Sequence, residues 1–343
     1  MNQLYVRVKL DFLQKIVRKC REMTVANQKK VLIITFYAGA NYGAFLQAYC
    51  LGKQMEKEGY SVFYLKDRFM EEDLKKYNND YERDLHKCLR EAIEEYLVVT
   101  DNNENYNLAI LGSDEIWNRN STLSFRKNMY WGINVNAEKI ISYAPCAVGT
   151  SLKRMIFRGI NLLKIDGISV RDNWTRNLVK SITRKQPPVV LDPTFLEDFS
   201  YINDNKYDFP YLFVYSYMLD DNQISHIKRI AKDKSLKTVV TGHQADWADV
   251  NIACTPFEWL SLIKFSSEVF TTTFHGSVFS LIFNKEFTLS GNNMKAILLL
   301  ETFGFCSNSN DIISIRKDDY KQINKTICKL KEQSIHFLKS YCE

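Results

Sequence analysis

At 343 residues the chain exceeds one ordinary core of about 100–200 residues, so two domains with a cleft between them are expected. An apolar fraction of 45% with 25% charged residues excludes a disordered, collagen-like or coiled-coil chain, and a net charge of +6 among scattered acids points to no nucleic-acid partner while suiting a small anionic substrate. No run reaches the roughly 18–20 apolar residues of a membrane span, no signal-peptide core opens the chain, and eight cysteines stand singly without metal spacing, so a cytoplasmic protein with reduced thiols and no zinc site is expected.

The stretch 5–21 spaces Leu10, Leu13, Ile16, Val17 and Cys20 helically among six cations, giving a basic amphipathic helix within 1–30. Through 1–24 it either packs on the first domain or makes a peripheral contact with an anionic membrane at its inner face. A β-branched strand at 31–36, a helix over 43–57 and a strand at 61–66 then form a β-α-β unit. Strands at 108–113, 139–144, 167–172 and 188–192, with a helix at 173–182, extend it into a mostly parallel, doubly wound Rossmann-like domain over 31–200. The Asn- and Asp-rich, aperiodic segment 199–210 reads as the interdomain connection. A second α/β set follows over 201–317: strands at 211–216, 237–242, 267–273 and 286–290, with helices at 221–233, after Pro256 and from Gly276. An amphipathic segment, 318–343, closes the chain and is expected to pack back on the first domain.

In such sheets ligands bind beyond the C-terminal strand ends, so the polar residues there carry the functional reading. After the first strand, Asn41 and Tyr42 open a helix whose N-terminus suits an anion or sugar hydroxyl; Asn41 serves there either as a ligand or as an N-cap. In 110–118, Ser113 and Glu115 fit a helix cap and first turn, whereas Asp114, Trp117 and Asn118 suit a sugar ring and its hydroxyls, with core packing the alternative for Trp117. Arg171, directly after an apolar strand, can grip a carboxylate or phosphate, or pair with a neighbouring acid. At 273–277 a Thr-rich strand runs into His275, Gly276 and Ser277 at a helix start; imidazole there can donate a proton near neutral pH.

Six segments in this order carry a resemblance: Thr35-Phe36 with Asn41-Tyr42-Gly43-Ala44 and Leu46-Gln47-Ala48, Gly112-Ser113-Asp114-Glu115-Ile116-Trp117-Asn118, Ser142-Tyr143-Ala144, Ser169-Val170-Arg171-Asp172, Asp192-Pro193-Thr194, and Thr273-Phe274-His275-Gly276. Over about 31–290 the chain resembles the polysaccharide pyruvyl transferase family. The resemblance implies two Rossmann-like domains in a GT-B-like arrangement. It also implies phosphoenolpyruvate as co-substrate, no cofactor or metal, and a pyruvate ketal on a sugar of a capsular or exopolysaccharide, the sugar expected on a lipid carrier. It makes His275 the acid that protonates the donor and Asp114 the group that orients or deprotonates the acceptor. Arg171, Thr273, Phe274, Gly276, Ser277 and Lys285 fall to the donor, and Asn41, Tyr42, Gln47, Trp117 and Asn118 to the acceptor. Glu115 stands where the family carries Gln. Thr273 stands where a branch carries Arg, so Arg171 or Lys285 is expected to supply the missing charge. The rivals are a metal-independent nucleotide-sugar glycosyltransferase of the same architecture and a non-catalytic scaffold.

Overall fold

A computed structural model describes residues 28–66, 77, 79–101, 103–118, 128–306 and 312–342. The expected helix within 1–30 and its membrane contact through 1–24 therefore lie outside the described residues, except for the last three positions.

The first sheet is built from β1 (Lys30–Ile34), β2 (Ser61–Leu65), β3 (Val99–Thr100), β4 (Tyr106–Leu111), β5 (Ala137–Ser142) and β6 (Gly167–Ile168), in the order β3-β2-β1-β4-β5-β6 and parallel throughout. Its helices are α1 (Tyr42–Lys57), α2 (Asp80–Tyr96), α3 (Leu152–Gly159) and α4 (Asn173–Thr183). The second sheet holds β7 (Tyr211–Tyr215), β8 (Lys237–Thr241), β9 (Val250–Asn251), β10 (Glu268–Thr271), β11 (Phe287–Ser290) and β12 (Ile312–Ile315). It repeats the same winding as β12-β11-β10-β7-β8-β9, with β12 the antiparallel edge. Helices α5 (Asp221–Asp233), α6 (Pro256–Phe265), α7 (Phe274–Ile282), α8 (Met294–Thr302) and α9 (Tyr320–Lys339) complete it. Strand order reverses beside β1 and beside β7, and such switch points open crevices at the carboxyl ends of strands.

Parallel strands covered on both faces read as continuous apolar runs, and β1, β4 and β7 do. Their side chains alternate between two cores. Val31, Ile33, Leu108 and Ile110 face α1, while Leu32, Ile34, Ala109 and Leu111 face Trp117 and Trp131. The inner core does not stop at the domain boundary: Phe213, Tyr215 and Val239 join the same apolar cluster through α1, α6, α7 and α9. At roughly 1.5–3 kcal/mol for each large apolar side chain buried, this shared layer holds the two sheets together more firmly than polar contacts would.

Two departures from the sequence reading have local causes. The strand expected at 188–192 reduces to one bridge between Val170 and Val189, because Pro187 and Pro188 have no N–H to donate. The helix α2 was not anticipated, although Leu85, Leu89, Ala92 and Ile93 are its buried stripe; its charged majority hides the period. The strand β12 and the helix α8 were likewise not anticipated.

The last helix, α9, lies across the boundary. Its first residue, Tyr320, donates from its hydroxyl to Ser280 O at 3.1 Å in the second domain. Farther along, Ser334 Oγ accepts from Leu191 N at 2.9 Å, Phe337 packs on Tyr143, and Cys342 O accepts from Lys29 Nζ and Tyr60.

Candidate active site at the domain junction

The first segment of the resemblance is mostly joinery. Asn41 caps α1, its Oδ1 accepting from Ala44 N at 3.1 Å. Tyr42 crosses into the second domain, where its ring stacks on Trp259 at 5.4 Å and its hydroxyl meets Thr241 at 3.2 Å and Cys254 at 3.3 Å. Gln47 is buried; its Nε2 donates to Phe36 O at 2.5 Å and Ala44 O at 2.8 Å, and its Oε1 accepts from Ser113 Oγ at 2.5 Å. A buried amide so bonded fixes the loops after β1 and β4 and has no hydrogen bond to spare for a sugar. The acceptor roles expected of Tyr42 and Gln47 are therefore replaced by domain anchoring and loop clamping, while Asn41 caps, one of the two roles open to it.

Trp117 is corrected too. Its ring is wholly buried against Trp131, centroids 5.7 Å apart, and its Nε1 donates to Tyr130 O at 2.7 Å, so neither face is open to a sugar. Asn118 turns to its own loop, donating to Glu115 Oε1 at 2.8 Å and accepting from Thr150 Oγ1 at 3.1 Å. Glu115 in turn crosses the cleft to Lys295 Nζ at 2.7 Å, on the first turn of α8. Asp114 is buried with a left-handed φ of 63°, a conformation Asp tolerates better than most residues, and its carbonyl accepts from Cys146 N at 2.8 Å.

Where the two domains meet, Arg171, Asp192 and His275 form a buried cluster. Arg171 Nη1 donates to Asp192 Oδ2 at 3.0 Å, while its Nη2 stands 3.7 Å from Asp114 Oδ1. His275 Nε2 stands 3.8 Å from the same Asp192 oxygen, within ion-pair range and beyond a hydrogen bond. The other oxygen, Oδ1, accepts from Thr194 N at 3.2 Å and Thr194 Oγ1 at 2.8 Å. Phe274 lies under the guanidinium, 4.1 Å from ring centroid to Cζ, and so holds Arg171 in place by a cation–π contact. Arg171 Nη2 and His275 Nε2 are both buried without a hydrogen-bond partner. Buried donors are rarely left so, and a pair of them beside one carboxylate is a place for an incoming oxygen.

Burial alone would raise the Asp192 carboxyl, yet His275, Arg171 and Thr194 hold it well below the usual carboxylate range. Burial likewise opposes the Arg171 charge, and the carboxylates of Asp192 and Asp114 more than offset it. Glu115 is desolvated but held down by Lys295 and Asn118. The cluster therefore contains one cation and one firmly ionised carboxylate around an imidazole.

The helix α7 begins at Phe274 because Thr273 caps it, its Oγ1 accepting from Gly276 N at 3.0 Å and sharing a hydrogen bond with Thr271 Oγ1 at 2.9 Å. A Cβ on Gly276 would come 2.2 Å from Thr271 Oγ1, so only glycine lets this turn close. Ser277 is buried, donating to Thr273 O at 3.1 Å. Thr273, Gly276 and Ser277 thus shape the turn that presents His275 and are bonded to one another. Lys285 is a further correction: it precedes β11, at the opposite end of the sheet from His275, and its Nζ donates to Lys264 O at 2.9 Å. It cannot replace the Arg that a branch of relatives carries.

Three residues on this junction were not anticipated as functional. Asp192 was part of a recognised segment without a role, and its signal was a carboxylate set between an apolar run and Pro-Thr. Lys295 had no sequence signal, because α8 itself was not foreseen. Tyr217, after β7, is 46% exposed, while its hydroxyl is enclosed 2.7 Å from that of Tyr215. Burial of that hydroxyl pushes it up to about 12, and Asp114 across the cleft adds to the shift. Among the described residues no group of three or more His, Cys, Asp or Glu side chains could hold a metal ion, and no helix is long and apolar enough to cross a membrane.

The family model for polysaccharide pyruvyl transferase matches residues 41–293. Comparison with curated protein sequences gives no match. Among solved structures, the S. aureus MnaA-UDP co-structure superposes with a TM-score of 0.51 at 13% identity, covering 90% of each chain. A putative UDP-N-acetylglucosamine 2-epimerase from Listeria monocytogenes gives 0.50 at 10% identity, covering 90% of this chain and 89% of its own. At such identities the likeness is one of fold, the GT-B-like pairing of two Rossmann-like domains.

Proposed function

This chain belongs to the polysaccharide pyruvyl transferase family, and from that premise we propose that it moves pyruvate from phosphoenolpyruvate onto two hydroxyls of a sugar, closing a cyclic ketal. The observation that carries the reading is the pair of buried nitrogens without a hydrogen bond, Arg171 Nη2 and His275 Nε2, around Asp192 at the domain junction.

Phosphoenolpyruvate is an enol ester with two anionic groups. His275 gives its proton to the methylene carbon, which leaves C2 electron-poor; Asp192 supplies the countercharge while the imidazole is protonated. One sugar hydroxyl adds at C2 and loses its proton, with Asp114 as the receiving carboxylate. The C2–O bond to phosphate then breaks, and a second hydroxyl adds with loss of its proton. Of the two protons released, one replaces that spent on the methylene carbon and the other leaves with phosphate. The balance is one diol and one phosphoenolpyruvate to one ketal and one phosphate.

Two assignments differ from those drawn from sequence. Of the two cations expected to compensate for Thr273, Arg171 stays, and Lys295, which stands on the first turn of α8 beyond β11 and faces the first domain through Glu115, takes the place of Lys285 beside it. The aromatic platform for the acceptor ring is Tyr217, half-exposed on the cleft side opposite Asp114, in place of Trp117. A lipid-linked acceptor in capsule or exopolysaccharide assembly suits the family premise.

The test is incubation of the full chain with phosphoenolpyruvate and candidate lipid-linked sugars. Phosphate release together with the mass increment of a pyruvate ketal on the sugar supports the reading. Release of nucleotide from a sugar nucleotide, with phosphoenolpyruvate untouched, replaces it by the glycosyltransferase alternative.

A further inference from the structure

The helix α3 and the 3-10 turn Ile160–Lys164 that continues it have two apolar faces. Met155, Gly159 and Leu162 point inward and are buried. Leu152, Ile156, Ile160 and Leu163, spaced by four, four and three, form a second stripe that is exposed, and Phe157 beside them is 83% exposed. Trp174, on the neighbouring α4, is exposed at its ring while its Nε1 donates to Thr150 O at 3.2 Å. Isolated exposed apolar residues need no explanation, but a contiguous group of this size does.

Within the two segments that carry the stripe the charge has one sign. Residues 152–165 carry Lys153, Arg154, Arg158 and Lys164 and no carboxylate; residues 173–189 carry four more cations and no carboxylate. The two acids that border these segments are engaged by the backbone: Asp166 accepts from Ile140 N at 2.7 Å, and Asp172 accepts from Thr175 N at 2.7 Å.

We propose that this face is the chain's docking surface for an anionic lipid bilayer, its apolar stripe entering the headgroup–acyl boundary and its cations meeting lipid phosphates. An exposed apolar stripe with Trp at its edge and Lys and Arg around it is the composition that partitions into such an interface. A second copy of the chain is disfavoured on the same face, because self-pairing would set this cationic rim against itself. An anionic bilayer supplies apolar depth and negative charge together.

The placement has a consequence for the site. The loop from β5 to α3 passes Asp114, where Cys146 N donates to the Asp114 carbonyl, and then reaches Thr150, whose hydroxyl donates to Asn118. One short segment thus runs from the acceptor side of the junction to the membrane-facing stripe. The surface stands on its own observations and does not depend on the pyruvyl donor.

Flotation of the full chain with phosphatidylcholine vesicles, with and without about a quarter phosphatidylglycerol, tests it. The expected result is binding to the anionic vesicles alone. Phe157→Ser with Ile160→Ser should abolish most of it, and Arg154→Gln with Arg158→Gln should weaken it on the order of 20-fold, at about fivefold for each cation near the surface. Circular dichroism and melting confirm that the variants fold. No binding by the parent chain overturns the proposal. So does binding that both variants retain, which would place the contact in residues 1–27, or light scattering that shows a dimer split by the apolar variant. Vesicle binding without phosphate release from phosphoenolpyruvate in the presence of the candidate lipid-linked sugars upholds the surface and ends the catalytic reading; phosphate release without vesicle binding does the reverse.

Discussion

The imidazole of His275 in the second domain lies directly on the backbone of Gly43 in the first. A Cβ at position 43 would stand 2.0 Å from His275 Nδ1 and 2.1 Å from its Cγ. The glycine in Asn-Tyr-Gly-Ala is therefore a seat for the ring, and Tyr42 beside it, anchored on Trp259, sets the distance between domains. Gly43→Ala should displace the imidazole and lower turnover by more than tenfold, with about 1–3 kcal/mol of stability lost to overpacking. Turnover and melting measured on one preparation check this; a variant with parental turnover would show that the ring's seat is irrelevant to the chemistry.

His275→Ala should cost about 10²–10⁴ in turnover, the usual contribution of a positioned general acid. The fold should survive, because Asp192 keeps its pair with Arg171 when the ring is removed. Steady-state phosphate release alongside a melting curve reads both. A loss below tenfold would move the proton donor elsewhere.

Asp192 bears the charge balance of the cluster. Asp192→Ala leaves Arg171 buried without its nearest carboxylate, and removal of one partner from such a pair costs about 3–5 kcal/mol. Its carboxyl is held below the usual range in the folded chain, so the folded state binds its proton less readily than the unfolded one. The stabilisation is thus fully present above about pH 4, the unfolded value, and is lost as pH falls below it. Chemical denaturation between about pH 6 and 3 should show a steeper acid limb for the parent than for Asp192→Asn. Parallel limbs would mean that another carboxylate governs acid stability.

Lys295→Met should raise KM for phosphoenolpyruvate several-fold while stability changes by about 1 kcal/mol or less, because its pair with Glu115 is partly exposed. Glu115→Gln, which restores the residue usual in the family, should leave the Lys295 charge for the donor and lower that KM. Donor saturation curves at two salt concentrations measure both shifts. An unchanged KM in both variants would remove Lys295 from donor binding.

The winding of both sheets was legible because buried parallel strands are apolar throughout and return at regular intervals. The segment 188–192 misled for the same reason, since Val189 and Val190 look like a strand and the prolines before them prevent one. His275 and Arg171 were legible as polar residues at strand ends. Trp117 was not, because the sequence cannot tell an aromatic ring at a strand end from one folded under it. Lys295 and Tyr217 come to the cleft through the approach of two domains, a relation that no local pattern records. The outer stripe of α3 was missed because a helix apolar on two sides has no clear period.

The chain passes between the sheets twice, once through 199–210 and once as it enters α9, and that helix then lies along the first domain as far as Cys342. Two crossings and one apolar layer common to both sheets tie the domains at three places, so that a shift of either must stretch the linker, pull a twenty-residue helix off its bed or bare buried apolar surface. The imidazole is thereby kept at one place against the first helix.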